Sequence, residues 1–447
     1  MLGAGLSWRI PGGLLDPELL GLLTGWRKNR NNHGLYRRLN TEMSDHRHVI
    51  ENAFTPCRLG GLELRNRLIR AGCFEGMCQG GQVTDALIDH HRALAAGGIG
   101  MTTVAYCSVS HDGRAFDHEL WMRREVLPDL ERLTCAVHAE GAAASIQLGH
   151  SGFFTNKAVI GKRPLGASPA WCLFMRSRCR AMTAEDIADK IRDFSNAAMM
   201  ARDAGFDAVE IHAGHGYLLS QFLSPWTNKR RDDYGGSLSN RIRFARQVIE
   251  LTREKTGPDF PILVKMNLED GMPQGIGIED SVHIAQAFEK AGASALVPSS
   301  GFTARVPFLM LRGNLPVLEM SRNQPGWADR IGMRLFGRFL VPEHPYRPLF
   351  QFEQAKRIRH AVGIPVIYVG GVDSSKAIGQ ALQNGFEFVQ LGRATIQDPG
   401  FASKIERGEM TKSPCDHCNR CVAAMDAGGV YCVCNRLGFM SSKRGGI

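Results

Sequence analysis

The stretch TAEDIADKIRDFSNAAMMARDAGFDAVEIHA, residues 183–213, sets a helix and a strand back to back. Its first part repeats apolar residues at helical spacing. Thr183 stands where an N-cap belongs, Asp186 follows three residues on, and Gly205 stands at the far end as a C-cap. Between these signals the sequence predicts a helix. The part that follows, FDAVEIHA (206–213), is a near-continuous apolar run, the mark of a strand buried on both faces of a parallel sheet.

The same alternation repeats on both sides. Before it come NRLIRAGC (66–73), GMTTVAYC (100–107) and AAASIQLG (142–149). After it come PILVKMN (261–267), ASALVPSS (293–300), IPVIYVGG (364–371) and FEFVQLGR (386–393). Eight such units, with helical patterns between them, predict a closed (β/α)8 TIM barrel in the α/β class. An open doubly wound sheet would need a G-x-G-x-x-G turn after its first strand, and RAGCFEGMCQGG is not one. Residues 49–410 form the expected barrel, with a long insertion after strand six at 302–350. A Cys-rich segment, 411–447, follows. The first 48 residues read as a disordered extension, or as sequence upstream of a natural start at Met43.

Composition narrows the function. The chain has 447 residues, 44% hydrophobic and 22% charged, as a soluble protein with a large core would. No apolar run reaches the length of a membrane span. The formal charge is +10, but no basic run of five residues supports nucleic acid as a partner. Five of the twelve cysteines are bunched at one end, a usage that favours a reducing, cytoplasmic compartment over a secreted disulfide framework. Homo-oligomers are compatible with all of this.

In such a barrel the chemistry sits at the C-terminal ends of the strands. There the sequence places Ala71, Gly72 and Cys73 on strand one, and Gln147 and His150 on strand three. Strand four ends in His212, followed by His215 and Tyr217, and strand five carries Lys265. Gly370-Gly371 and Gly392-Arg393 end strands seven and eight. Paired glycine turns let backbone N–H groups approach an anion, and Arg393 adds a planar donor fork. Two imidazoles and a phenol at one strand end can hold an oxygen and donate a proton. The H-x-x-H spacing also allows a metal pair, but no third ligand accompanies it.

The stretch IHAGHGYLLSQFLSP…NKRRDDYGGS…NR resembles the signature of the old yellow enzyme family of FMN-dependent oxidoreductases, with NRLIRAG, QLGHSG, YVGGV and LGRA in matching order. The barrel part is similar to that of 2,4-dienoyl-CoA reductase. The resemblance runs from about Ile50 to the C-terminus. It implies FMN at the strand ends, with Ala71 and Gly72 against the ring and Gln147 on its pyrimidine edge. It implies Arg241 beside the N1/O2 side of the flavin, and Gly370, Gly371, Gly392 and Arg393 around the phosphate. His212 and His215 would grip a substrate carbonyl, and Tyr217 would donate a proton. NAD(P)H would supply a hydride, and a small unsaturated molecule (an enone, enoate or dienoyl ester) would accept it. Two other readings remain: a flavin dehydrogenase of amines or saturated substrates, and a redox-sensing flavin and thiol module without turnover. Tyr106 and Phe74 depart from the family pattern beside the flavin.

The insertion contains GWADRIGMRLFGRFLVPEHPYRP. Ile331, Leu335, Phe336 and Phe339 make one helical face, and Arg330, Arg334 and Arg338 another. This reads as a lid packed over the barrel rather than a membrane-surface helix at 326–342. The last segment, PCDHCNRCVAAMDAGGVYCVCN, spaces Cys415, Cys418 and Cys421 as C-x2-C-x2-C. Some members of the family carry a [4Fe–4S] cluster here. Its CVCN is similar to their C-x-x-N, which implies Cys432 as the fourth ligand and Cys434 as a bystander. The third gap is one residue short, and the second flavin- and nucleotide-binding half of those members is expected to be missing. A cluster, a zinc ion and empty reduced thiols all remain open.

Overall fold

In the computed structural model, which describes residues 50–324 and 326–435, the eight expected strands are all present. They are β1 (Leu68–Arg70), β2 (Met101–Ser108), β3 (Ala143–Gly149) and β4 (Ala208–Ala213). Then come β5 (Ile262–Glu269), β6 (Ala295–Ser300), β7 (Ile367–Val369) and β8 (Phe388–Leu391). All pair in parallel, each with its neighbour in the chain, and β8 returns to β1. A parallel bridge between Leu296 and Val366 joins β6 to β7, which closes the barrel. The expected extension at 1–48 lies outside the described residues, as does everything after Asn435.

The helix read first is there as Ala184–Asp203. The Thr183 hydroxyl accepts from the Asp186 N–H at 3.1 Å, and the Asp186 carboxylate accepts from the Thr183 N–H at 2.7 Å. This capping box satisfies two backbone donors that the helix start leaves free. Gly205 follows at φ +82°, a conformation that costs glycine little.

Side chains alternate along each strand with a period of two. Ile69, Met101, Ala208, Leu263, Val297, Ile367 and Phe388 form a dry core with Leu59 and Leu64. Leu59 and Leu64 come from a hairpin, Cys57–Leu59 with Leu62–Leu64, ahead of β1. Two residues further along three of these strands stand Glu210, Lys265 and Gln390, and two further again His212, Asn267 and Gly392. The barrel therefore changes from apolar to polar toward the strands' C-terminal ends.

The insertion carries two helices, Val317–Arg322 and Trp327–Leu340. It is not a lid packed on all sides. Val317, Met320 and Met333 pack toward Phe308, Leu315 and Val341, but Trp327 is 77% exposed and Phe339 87%. Among the described residues no helix is long and apolar enough to cross a membrane.

Two buried glutamates make stability depend on pH. Glu75 accepts from the Ala105 N–H at 2.9 Å, and Glu119 from the Ala115 N–H at 2.7 Å. Burial pushes each carboxyl up to about 8. The folded protein thus keeps protons that the unfolded chain, titrating near 4.5, has released. The stabilisation is full below that lower value and is lost as pH rises through about 8. Urea midpoints are expected to fall between about pH 4.5 and 8 and to level off above that, and Glu75→Gln with Glu119→Gln should flatten the slope. An unchanged slope in the double variant would assign the effect to other groups.

Candidate active site

The polar layer is built on Glu210, which is fully buried. Its Oε1 accepts from Gln147 Nε2 at 2.6 Å and from Lys265 Nζ at 2.8 Å. Its Oε2 accepts from Gln390 Nε2 at 2.8 Å, and Lys265 also reaches Gln390 Oε1 at 3.3 Å. Four strands thus meet in one hydrogen-bonded set, which is how a buried ion pair is tolerated. Gly72 lies against it: a Cβ there would come within 2.8 Å of Gln147 Nε2. Ala71 is held by its N–H to the Leu391 carbonyl at 2.9 Å, which ties β1 to the end of β8.

At the end of β4 and in the loop just after it stand the two histidines and the tyrosine. His212 and His215 have ring centroids 5.0 Å apart, and His212 and Tyr217 4.8 Å. The Gly214 N–H donates to His212 Nδ1 at 3.3 Å, which places that ring's proton on Nε2. His215 Nε2 lies 2.7 Å from the Ser299 hydroxyl, and the Asn267 side chain accepts from the His215 N–H at 2.9 Å. Burial holds His212 well below the usual histidine range, and the nearby Lys265 ammonium adds to it. Burial likewise brings His215 down to about 3, with Lys265 adding to it. Both rings are therefore neutral at pH 7. Burial raises the Tyr217 hydroxyl to about 12, against the pull of a hydrogen bond from Thr303. Tyr106 packs on Tyr217 at 5.1 Å and is buried in the wall of the site, while Phe74 stacks on Phe116 at 5.4 Å.

The glycine turns of β7 and β8 lie beside the insertion. Gly371 has φ +71°, and a Cβ on it would come within 2.6 Å of the Leu349 nitrogen. Phe350 packs against both Gly370 and Gly371, and the Arg312 guanidinium lies 4.9 Å over the Phe350 ring. Arg312 Nε is buried without a partner. Arg393 donates to the Arg312 carbonyl and to Asn419 Oδ1, each at 2.7 Å, and to the Leu311 carbonyl. A Cβ on Gly392 would lie 3.7 Å from Cys73 Sγ.

These residues fit FMN. The side-chain-free face at Gly72, an amide and a cation beneath it, and a glycine turn beside an unpartnered arginine N–H suit a flat ring carrying a phosphate. Arg241 is not among them. It lies on the helix Leu238–Thr256, where its guanidinium donates to the Leu223 carbonyl and to Asp280 at 3.1 Å. The cation that does reach Gln147 through the shared carboxylate is Lys265. Its period-two place on β5, between Leu263 and Asn267, is the signal that marks it. Glu210 and Gln390 could be found by the same alternation. Arg312 could not, because the insertion has no repeating pattern.

Five thiols gather after the barrel. Cys415, Cys418, Cys421, Cys432 and Cys434 line a cavity of about 200 Å³ together with Arg393. Cys418 and Cys434 stand with sulfurs 3.8 Å apart, so Cys434 belongs to the group as closely as Cys432 does. Burial pushes the Cys418 and Cys421 thiols up to about 12, and Arg393 pulls Cys421 the other way. Asp416 joins Cys418 and Cys434 with ligand atoms within 4.8 Å of one another. Thiolates in this number are what an iron–sulfur cluster or a zinc ion takes.

A parallel barrel that gathers an imidazole pair, a phenol and glycine turns at the C-terminal ends of its strands is a frame suited to a flavin-type oxidoreductase. Comparison with known proteins agrees. Residues 52–300 match the NADH:flavin oxidoreductase / NADH oxidase family, and the chain belongs to it. It is an NAD(P)H:flavin oxidoreductase that uses FMN. It is 39% identical to the 4,4'-dithiodibutanoate disulfide reductase of Rhodococcus erythropolis, over 84% of this chain and 93% of that one. It is 33% identical to a metal reductase of Desulforamulus reducens, over 82% of this chain but only 50% of the relative. The chain thus spans nearly all of the first relative and half the length of the second. The fold is similar to that of a 2-naphthoyl-CoA reductase complex, with TM-score 0.73 and 24% identity over 85% of this chain and 56% of that chain.

Proposed function

We propose that this enzyme reduces an activated C=C bond, in an enone, enoate or dienoyl ester, at the expense of NAD(P)H. The observation that carries this reading is the neutral His212–His215 pair beside the protonated Tyr217. FMN, when bound, supplies the hydride chemistry, and the residues supply the rest. His212 Nε2–H donates to the substrate's carbonyl oxygen, where negative charge builds as the β-carbon gains its hydride. His215, oriented by Ser299 and Asn267, completes the grip. Tyr217 gives the α-carbon its proton, so the alkene gains one hydride and one proton. Gln147 and Lys265 would hold the flavin's pyrimidine edge, where Lys265 would offer the positive charge that an anionic reduced flavin requires. Gly370, Gly371, Gly392, Arg393 and Arg312 would hold its phosphate.

The five-cysteine group supports a [4Fe–4S] cluster on Cys415, Cys418, Cys421 and either Cys432 or Cys434. The bunching of these thiols also supports a cytoplasmic location. A second reading, reduction of an organic disulfide, rests on the name of the relative that shares 39% identity.

Anaerobic half-reactions separate these readings. The purified protein is expected to show an oxidised-flavin band that NADPH or NADH bleaches. An enone or a dienoyl ester should then restore it. Restoration by dithiodibutanoate but by no alkene would move the assignment to disulfide reduction. Restoration by neither would favour a dehydrogenase acting in the other direction. Iron, sulfide and zinc assays on the same sample decide what the thiols hold.

A further inference from the structure

We propose that residues 171–178 and the outer side of the helix Trp327–Leu340 form one surface that docks on an anionic phospholipid bilayer. Among the described residues nine large apolar side chains are exposed, and all of them lie on these two elements or on the short helix before the second. Trp171, Leu173 and Phe174 stand on the first, at 60%, 58% and 38% exposure. On the helix, Trp327, Ile331, Leu335 and Phe339 recur every four residues and so form one row, all of it exposed. An ion pair from Arg176 to Asp329 holds the two elements side by side. Apolar exposure confined to one place in this way marks an interaction site, whereas single scattered residues do not.

Charge selects the occupant. Arg330, Arg334 and Arg338 form the row next to the apolar one and are exposed, and Arg176 and Arg178 edge the other element. The helix's one acid, Asp329, is already paired with Arg176. Aromatic and aliphatic tips bordered by arginines suit a helix lying among lipid headgroups. Anionic headgroups favour each nearby basic residue by roughly fivefold. A second copy of this chain would offer these arginines no free acid from the same surface, since its one carboxylate, Asp329, is already paired. Nor can the apolar row turn inward, because the other side of the helix is committed. A Cβ on Gly337 would already lie 3.1 Å from the Val317 side chain. The insertion that carries this helix starts at the catalytic mouth, where the Thr303 N–H donates to the His215 carbonyl at 2.9 Å. Docking would bring that mouth close to the bilayer, which suits an apolar substrate.

The test is co-sedimentation of the full-length flavoprotein with phosphatidylcholine vesicles, with and without phosphatidylglycerol. The protein is expected to pellet with the phosphatidylglycerol vesicles only, and to be released by salt. Leu335→Ser with Phe339→Ser should weaken this at least about tenfold, as should Arg334→Glu with Arg338→Glu. Both variants should keep the parent's flavin content and its turnover of a water-soluble enone. If the serine variant does not retain flavin, the charge variant alone decides. No pelleting of the parent, or equal pelleting of parent and charge variant, would overturn the proposal. So would a concentration-dependent dimer that the serine variant dissolves and vesicles do not compete with.

Discussion

Replacing Lys265 by Met is expected to cost about 3–5 kcal/mol of stability, because it leaves the Glu210 carboxylate buried with no counter-charge. Glu210 has no exposed surface and receives Lys265 at 2.8 Å. Without the ammonium, only the two amides of Gln147 and Gln390 remain to stabilise it. The double variant Glu210→Gln with Lys265→Met removes both charges together. It should regain much of the loss, since replacing a whole buried ion pair is far milder than breaking one. Urea denaturation of the three proteins measures this. The same variants test the flavin's cation. If Lys265 supplies the charge on the pyrimidine side, Lys265→Met lowers the flavin's reduction potential, the double variant lowers it less because a carboxylate goes with the cation, and Arg241→Met leaves it in place. A potential that moves in Arg241→Met and not in Lys265→Met would return the role to Arg241.

The positions of Arg241 and Lys265 show what kind of information the chain carries locally. Strand and helix periods are short-range, so all eight strands and the Thr183–Asp186 capping box could be read from neighbours in sequence. The histidine pair and Tyr217 were equally legible, because they stand on one strand end and the loop directly after it. Which cation reaches the barrel axis is another matter. Arg241 belongs to a recognisable motif but sits on an outer helix, tied to Asp280. Lys265 carries no motif, and its meaning comes from Glu210, 55 residues away. The insertion failed in a different way. The amphipathic pattern of 327–340 suggests one buried side and one exposed side. In the structure the apolar row faces outward, the exposed Arg330 and Arg334 reach back to the Gln324 carbonyl and the Ser321 hydroxyl, and Met333 and Gly337 turn toward Val317. Periodicity reports that a helix has two faces. It does not report which of them finds a partner.

His212→Ala is expected to slow re-oxidation of the reduced enzyme by an enone about 10²–10³-fold, the usual cost of losing one donor to a developing oxyanion. Flavin reduction by NAD(P)H should change little, since that step builds no charge on the substrate's oxygen. The geometry makes His212 the stronger of the two donors. Its Nδ1 is occupied by the Gly214 N–H, which leaves Nε2–H free for a ligand. His215 spends its Nε2 on Ser299. Tyr217→Phe should also spare flavin reduction and slow only the alkene step. The pH profile provides an independent check. His215 titrates at about 3, His212 is held well below its ordinary value, and Tyr217 titrates at about 12. No member of the trio changes charge in the ordinary histidine range or at neutral pH, so the alkene half-reaction should be flat there. A drop near pH 6.5 that His212→Ala abolishes would show that a histidine works as the charged imidazolium, and the neutral-pair mechanism would have to be given up. A flat profile with the full loss in His212→Ala would fix the donor as a neutral imidazole and leave Tyr217 as the proton source.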